Sequence, residues 1–151
     1  MSNLANKYHQ SLLPVITISA ALMGLADALY LTTSHYQGKA VVCSIVEGCS
    51  VVLSSPWASF FGLPVSLIGA VYYGVILLLI VWYLSNRSAA FLQILLAIST
   101  VGFIASLGFL YLQIFVLTAF CEFCLLSLVT TTIIWISVLV QTYRPGDTMI
   151  T

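Results

Sequence analysis

The 151-residue chain is 62% hydrophobic and 5% charged, and its four Lys/Arg balance four Asp/Glu to a net charge of zero. A mean hydropathy of +1.15 and a pI of about 6.7 exclude a nucleic-acid binder, which needs clustered cations to displace counterions, and a disordered chain. A soluble domain is excluded as well, because too few charges exist to cover the surface that a fold of this size leaves exposed; the solvent of this chain is lipid.

A polar tail, residues 1–11, comes first and holds Lys7 and His9. Lys7, the apolar run behind it and Ala26-Asp27-Ala28 imitate a cleavable leader, but the run continues to Leu31 and is long, so its retention as a membrane span is expected. A span takes about 20 residues. The first runs from about Leu12 to Thr33, and it contains Asp27, the one acid in the interior of a span. Intramembrane ionisable side chains are functional candidates, so Asp27 is expected either to hydrogen-bond within the bundle or to assist protonation of a bound substrate. The only long connection follows, from about Ser34 to Leu63, punctuated by Gly38, Gly48, Pro56 and Gly62. Ser55-Pro56 within it reads as an N-cap and first helical residue of a short turn. The second span covers about Pro64 to Leu84, the third Ala89 to Leu117 and the fourth Cys121 to Gln141, before a second tail, residues 142–151. The predicted fold is therefore all-α: an integral membrane bundle of four transmembrane helices with a long outer loop between helices 1 and 2. A single domain, residues 12–141, makes up nearly all of it. Gly24 with Ala28 and Gly102 with Ser106 are spaced to let helix backbones approach, although Gly is also simply frequent in membrane helices.

Cations set the topology. Lys7, Arg87 and Arg144 fall on one side of a four-span bundle and only Lys39 on the other, which places both termini in the cytoplasm. Trp82, Tyr83, Trp135 and Tyr143 are then expected at the inner interface, and Tyr30, Tyr36 and Trp57 at the outer one.

Four cysteines carry the functional signal. Cys43 and Cys49 lie in the long loop, and Cys121 and Cys124 open the fourth span. All four fall on the non-cytoplasmic side, where disulfides persist. Cys121-Glu122-Phe123-Cys124 is a C-x-x-C at a helix start, so its two sulfurs share a face beside unpaired N–H groups that favour a thiolate. Cys124 lies about 4.5 Å deeper than Cys121, among Phe120, Phe123 and Leu125. A lipid-soluble acceptor, for which a quinone is the natural candidate, meets Cys124 first. Electrons are expected to run from an external dithiol to Cys43 and Cys49, on to Cys121 and Cys124, and then to the quinone. Three other readings compete: two structural disulfides in an inert four-span protein, a four-thiolate zinc site, which the six-residue step from Cys43 to Cys49 fits poorly, and buried cysteines acting as small hydrophobes.

The order of these elements resembles the vitamin K epoxide reductase family. The likeness rests on Cys43 and Cys49, the run Cys49-Ser50-Val51-Val52-Leu53-Ser54-Ser55-Pro56-Trp57, then Gly62-Leu63-Pro64-Val65, and Cys121-Glu122-Phe123-Cys124. Gly24 and Tyr30 fit as well. It extends from about residue 12 to 141.

That resemblance implies a four-helix bundle around a quinone pocket, capped in part by the loop. It implies that Cys124 reacts with the quinone (ubiquinone, menaquinone or vitamin K type), that Cys121 is its exchange partner, that Cys49 links transiently to Cys121, and that Cys43 receives electrons from outside. Ser55 matches a family serine that assists at the site, and Trp57 a neighbouring aromatic; Phe120 and Phe123 are expected around the ring. The animal enzymes carry a Tyr four residues after the second Cys of the motif, where this chain has Leu128, and a longer segment before the second span. Quinone-coupled disulfide formation of the microbial kind is therefore expected in preference to epoxide reduction, in a plasma or inner membrane. A separate thioredoxin-like, Dsb-type protein on the non-cytoplasmic side is the expected partner, and no metal is called for.

Overall fold

The structure, a computed structural model, describes residues 2–39, 41 and 48–143, with side chains from residue 12 onward. Four of its helices are long and apolar enough to cross a membrane: Leu12–Tyr36, Val65–Asn86, Ala89–Val116 and Glu122–Tyr143. They match the four expected spans within a few residues. The first belongs to a longer helix, α1 (Ser2–Tyr36), which starts well before Leu12 because nothing in the polar tail breaks a helix; Pro14 is accommodated inside it. The other long helices are α3 (Val65–Asn86), α4 (Ala89–Tyr111), extended by a π-helical turn over Leu112–Val116, and α5 (Glu122–Tyr143).

The long seams run between α1 and α3, α1 and α5, and α4 and α5, with α3 and α4 meeting less extensively. Tyr73, Ile76 and Ile80 of α3, Leu95 of α4, and Ile134 and Val138 of α5 form the core with Ala20, Ala21 and Ala28 of α1. Large apolar side chains elsewhere on all four helices stay exposed, which suits helices whose outer faces meet lipid tails. Of the small residues, Gly24 and Gly102 make room for aromatic rings rather than for the close backbone approach expected of them. The Tyr73 ring fills the place of a side chain at Gly24, Ala28 meets Gly69, and the Tyr72 ring fills the place of a side chain at Gly102. Hydroxyl pairs join neighbouring helices: Thr32 to Ser66 at 3.0 Å, and Thr131 to Ser106 at 3.1 Å. Inside a bilayer such bonds replace water as partners of these groups.

Two of the expected interface aromatics turn inward instead. Tyr83 is 3% exposed in the core, and Trp135 stacks on Phe103 at 4.7 Å while its indole N–H donates to Thr100. Tyr83 lies near the Asn86 end of α3, at a depth that suits an interface, but its helical phase points it into the core; Trp135 lies about 12 Å inside the Tyr143 end of α5 and faces α4.

The connection to α3 carries more structure than its sequence suggests. Helix α2 (Cys49–Leu53) begins at Cys49, and Pro56–Ala58 forms a 3-10 turn. Strands β1 (Ser59–Phe60) and β2 (Leu63–Pro64) then pair antiparallel. Their two-residue turn, Phe61-Gly62, has φ of 51° and 80°, the doubly left-handed form that suits a tight hairpin. Ser55 precedes Pro56 as expected, but its hydroxyl bonds back to the Val52 carbonyl at 2.7 Å and does not cap the turn ahead.

Candidate active site

Two distant stretches of the chain meet at one end of the bundle. Cys49, Val52 and Cys121 form a buried cluster, with Leu53, Leu117, Phe123 and Cys124 packed against it. Gly48 makes the meeting close. A Cβ there would fall on the Phe120 carbonyl oxygen and lie 2.6 Å from its nitrogen, so main chain lies against main chain one residue before Cys49 and one residue before Cys121. Cys49 is disulfide-bonded, whereas Cys121 and Cys124 are free thiols. Cys43 lies outside the described residues.

Cys121 is set in place by Gln113, a residue that the sequence analysis passed over. The π-helical turn carries Gln113 into the interior, where it is 2% exposed. Its side-chain oxygen accepts the Cys121 backbone N–H at 2.8 Å, and its main-chain carbonyl accepts that of Ala119 at 3.2 Å. Between these bonds Thr118 adopts a left-handed φ of 46°, which is strained for a β-branched residue. Gln113 thus satisfies a donor at the start of α5 that no side chain of α5 caps. One amide in an apolar run eight residues before Cys121 was the available signal, since polar groups at membrane depth tend to have a purpose.

The Cys121 thiol is acidified. A hydrogen bond from the Cys124 thiol, opposed by burial and helped by the Cys124 and Phe123 amides, lowers its pKa to about 7. Cys121 is then thiolate to a larger extent at neutral pH than an ordinary thiol. Modification of Cys121 by a small thiol reagent, followed by peptide mass spectrometry, is expected to speed up with rising pH about a midpoint near 7. In Cys124→Ala that midpoint moves up toward about 8.5, the ordinary thiol value.

Beside the cluster lies a cavity of about 690 Å³ lined by all four long helices and the loop. Cys124 and Phe123 line it, as do Asp27, His35, Ser55 and Trp57. The volume suits a small organic ligand, and the wall is mostly apolar with a few polar groups, as binding sites of that kind are. Phe120 does not line it: preceding α5, its main chain abuts Gly48 and its side chain is 42% exposed. Phe123 lies in the first turn of α5, where its ring meets Tyr30 at 5.4 Å. Leu128 is not part of the cavity wall.

The arrangement brings a disulfide-bonded cysteine, a thiol of lowered pKa and a second thiol to the side of a mostly apolar cavity. A search among curated proteins finds no match to the chain. The profile of the Vitamin K epoxide reductase family matches residues 15–139, a range that takes in both cysteine pairs, the structured loop and most of each span. The chain belongs to the vitamin K epoxide reductase family and is a membrane-embedded helical-bundle oxidoreductase.

Proposed function

We propose that this protein relays electrons from a thioredoxin-like, Dsb-type dithiol protein on the non-cytoplasmic side, through its two cysteine pairs, to a membrane quinone, and so drives disulfide-bond formation. The observation that carries this reading is the shared burial of Cys49 and Cys121 in one cluster, with Cys124 bordering the cavity.

The exchange steps balance as follows. The partner's dithiol reduces a Cys43–Cys49 disulfide, giving a partner disulfide and two loop thiols. The Cys49 thiolate attacks Cys121 of an oxidised C-x-x-C, forming a Cys49–Cys121 disulfide and releasing Cys124 as a thiol. Cys43 then attacks Cys49, which restores the loop disulfide and frees Cys121. Two electrons and two protons now reside on Cys121 and Cys124. An acidified Cys121 suits both roles, as a good leaving group and as a ready nucleophile.

The residues present fit a quinone. The cavity offers apolar walls, and Asp27 Oδ1 and the Tyr72 hydroxyl are buried without a hydrogen-bond partner on its wall. When bound, a quinone supplies a two-electron, two-proton acceptor for the inner dithiol. Phe123 and Trp57 are proposed to flank the ring, while Ser55, tied to the end of α2, keeps the loop closed over it and excludes water. The fewer cations on the loop side, Lys39 against Lys7, Arg87 and Arg144, support cytoplasmic termini; the membrane proposed is a prokaryotic plasma or inner membrane.

The test is direct. Detergent-purified protein supplied with a reduced thioredoxin-like donor and a soluble quinone is expected to form quinol and oxidised donor in equal amounts. Oxidised donor without quinol, or no reaction with a competent donor, would refute the relay.

A further inference from the structure

Most polar groups on the cavity wall already have partners. Ser66 accepts from Thr32, Ser106 from Thr131, Ser55 donates to Val52, and Gln113 holds the Cys121 amide. Tyr73 is paired too: its hydroxyl lies 2.7 Å from that of Thr130 and 2.9 Å from that of Ser127. Among the described residues, Asp27 Oδ1 and the Tyr72 hydroxyl are the buried side-chain atoms without a partner, and both residues line the cavity. Buried polar groups are nearly always paired, most of all at membrane depth, where water is not at hand. Two unpaired groups on one cavity wall point to a ligand that pairs them.

Their placement is consistent with a single ligand. Asp27 lies about 13 Å of helix inside the Tyr36 end of α1, and Tyr72 about 10 Å inside the Val65 end of α3. These ends lie together, since Thr32 near the first bonds Ser66 at the second and Ala28 meets Gly69, so the two groups meet the cavity at similar depth. Asp27 is 8% exposed. The Tyr72 ring is seated in the space left by Gly102 and packs edge-on to Tyr73 at 5.1 Å, which holds the phenol in one orientation.

We propose that Asp27 and Tyr72 form a two-point polar grip on the oxygens of the ring bound in the cavity. The proposal rests on the quinone reading above and adds the side chains that orient the ring toward Cys124. A phenol donates to a carbonyl and accepts from a hydroxyl. A carboxyl group donates as the acid and accepts as the carboxylate. Both groups therefore match ring oxygens in the oxidised and the reduced ligand, and Asp27 can hold a proton at the oxygen it faces.

The experiment measures binding with full-length protein in detergent, oxidised so that no thiol of the C-x-x-C reacts. The probe is 2,3-dimethyl-1,4-naphthoquinone, and 2,3-dimethylnaphthalene is its oxygen-free counterpart. Tyr72→Phe and Asp27→Leu are each expected to weaken quinone binding about tenfold, the worth of one hydrogen bond, and to leave hydrocarbon binding within about twofold. Asp27→Asn keeps a donor and an acceptor and is expected to recover most of the loss. With carbon-13-labelled carbonyls, the infrared band shifted by the protein is expected to move back toward its detergent position in Tyr72→Phe. Equal losses for both probes would reduce the pair to a structural role and overturn the grip, as would unchanged quinone affinity in both variants; the quinone reading survives each of these results. Failure of the wild-type protein to bind the quinone at all would overturn both.

Discussion

Cys124→Ala is expected to abolish quinol formation, with a loss of at least about 10³-fold, because it removes the thiol that borders the acceptor's cavity and the partner that closes the inner disulfide. The substitution leaves the meeting of Cys49 with Cys121 intact, since both are buried in a cluster that Cys124 only flanks. In this variant the Cys121 thiolate attacks Cys49 and forms a mixed disulfide. Cys124 is no longer there to release it, so only the displaced loop thiol competes. Acid quenching, alkylation and non-reducing peptide mapping are expected to show a Cys49–Cys121 crosslink that the wild-type protein does not accumulate. Cys124→Ser serves as the near-isosteric check. Normal turnover in Cys124→Ala would mean that another group meets the acceptor.

Much of this organisation is written in residue spacing. Four apolar stretches of membrane length specify the bundle, because no other solvent tolerates them. The order of the two cysteine pairs marks the site, because covalent chemistry requires particular atoms at particular separations. What the sequence conceals depends on tertiary contact. The β1–β2 hairpin consists of two residue pairs, too short for any alternation to register. Gln113 faces inward because a π-helical turn adds a residue to its cycle, and a regular helical period does not carry that phase. The interface rule reads depth but not direction, so it placed Tyr83 at the membrane surface although its ring turns into the core. Phe120 and Phe123 show the same limit: three residues apart, one precedes the helix and lies against the loop, while the other turns with α5 toward the cavity. Tyr72 and Tyr73 are adjacent aromatics of one helix, and only the structure shows that the Tyr72 hydroxyl is the one that lacks a partner.

Gly48→Ala tests whether the close approach of the two main chains is what brings the cysteine pairs together. The added Cβ would fall on the main chain of Phe120, and a backbone obstacle cannot rotate aside as a side chain can. Relief must come from moving the start of α2, which carries Cys49, or the segment leading to Cys121. The second is tethered by Gln113 through the Ala119 and Cys121 amides, so the loop is expected to give way. Misplacing reacting atoms by about 1 Å costs on the order of 10²-fold in rate, and exchange between Cys49 and Cys121 is expected to slow by about that factor. Electron flow from a small dithiol that reduces the C-x-x-C pair directly bypasses the loop and is expected to stay within about twofold of wild type. Gly74→Ala is the matching control, since nothing lies within 4 Å of a Cβ there and alanine is the better helix former. If Gly48→Ala lowered both electron routes equally, the substitution would be acting on the bundle as a whole. A selective loss of the thioredoxin-like donor route instead locates the junction of the relay at this contact.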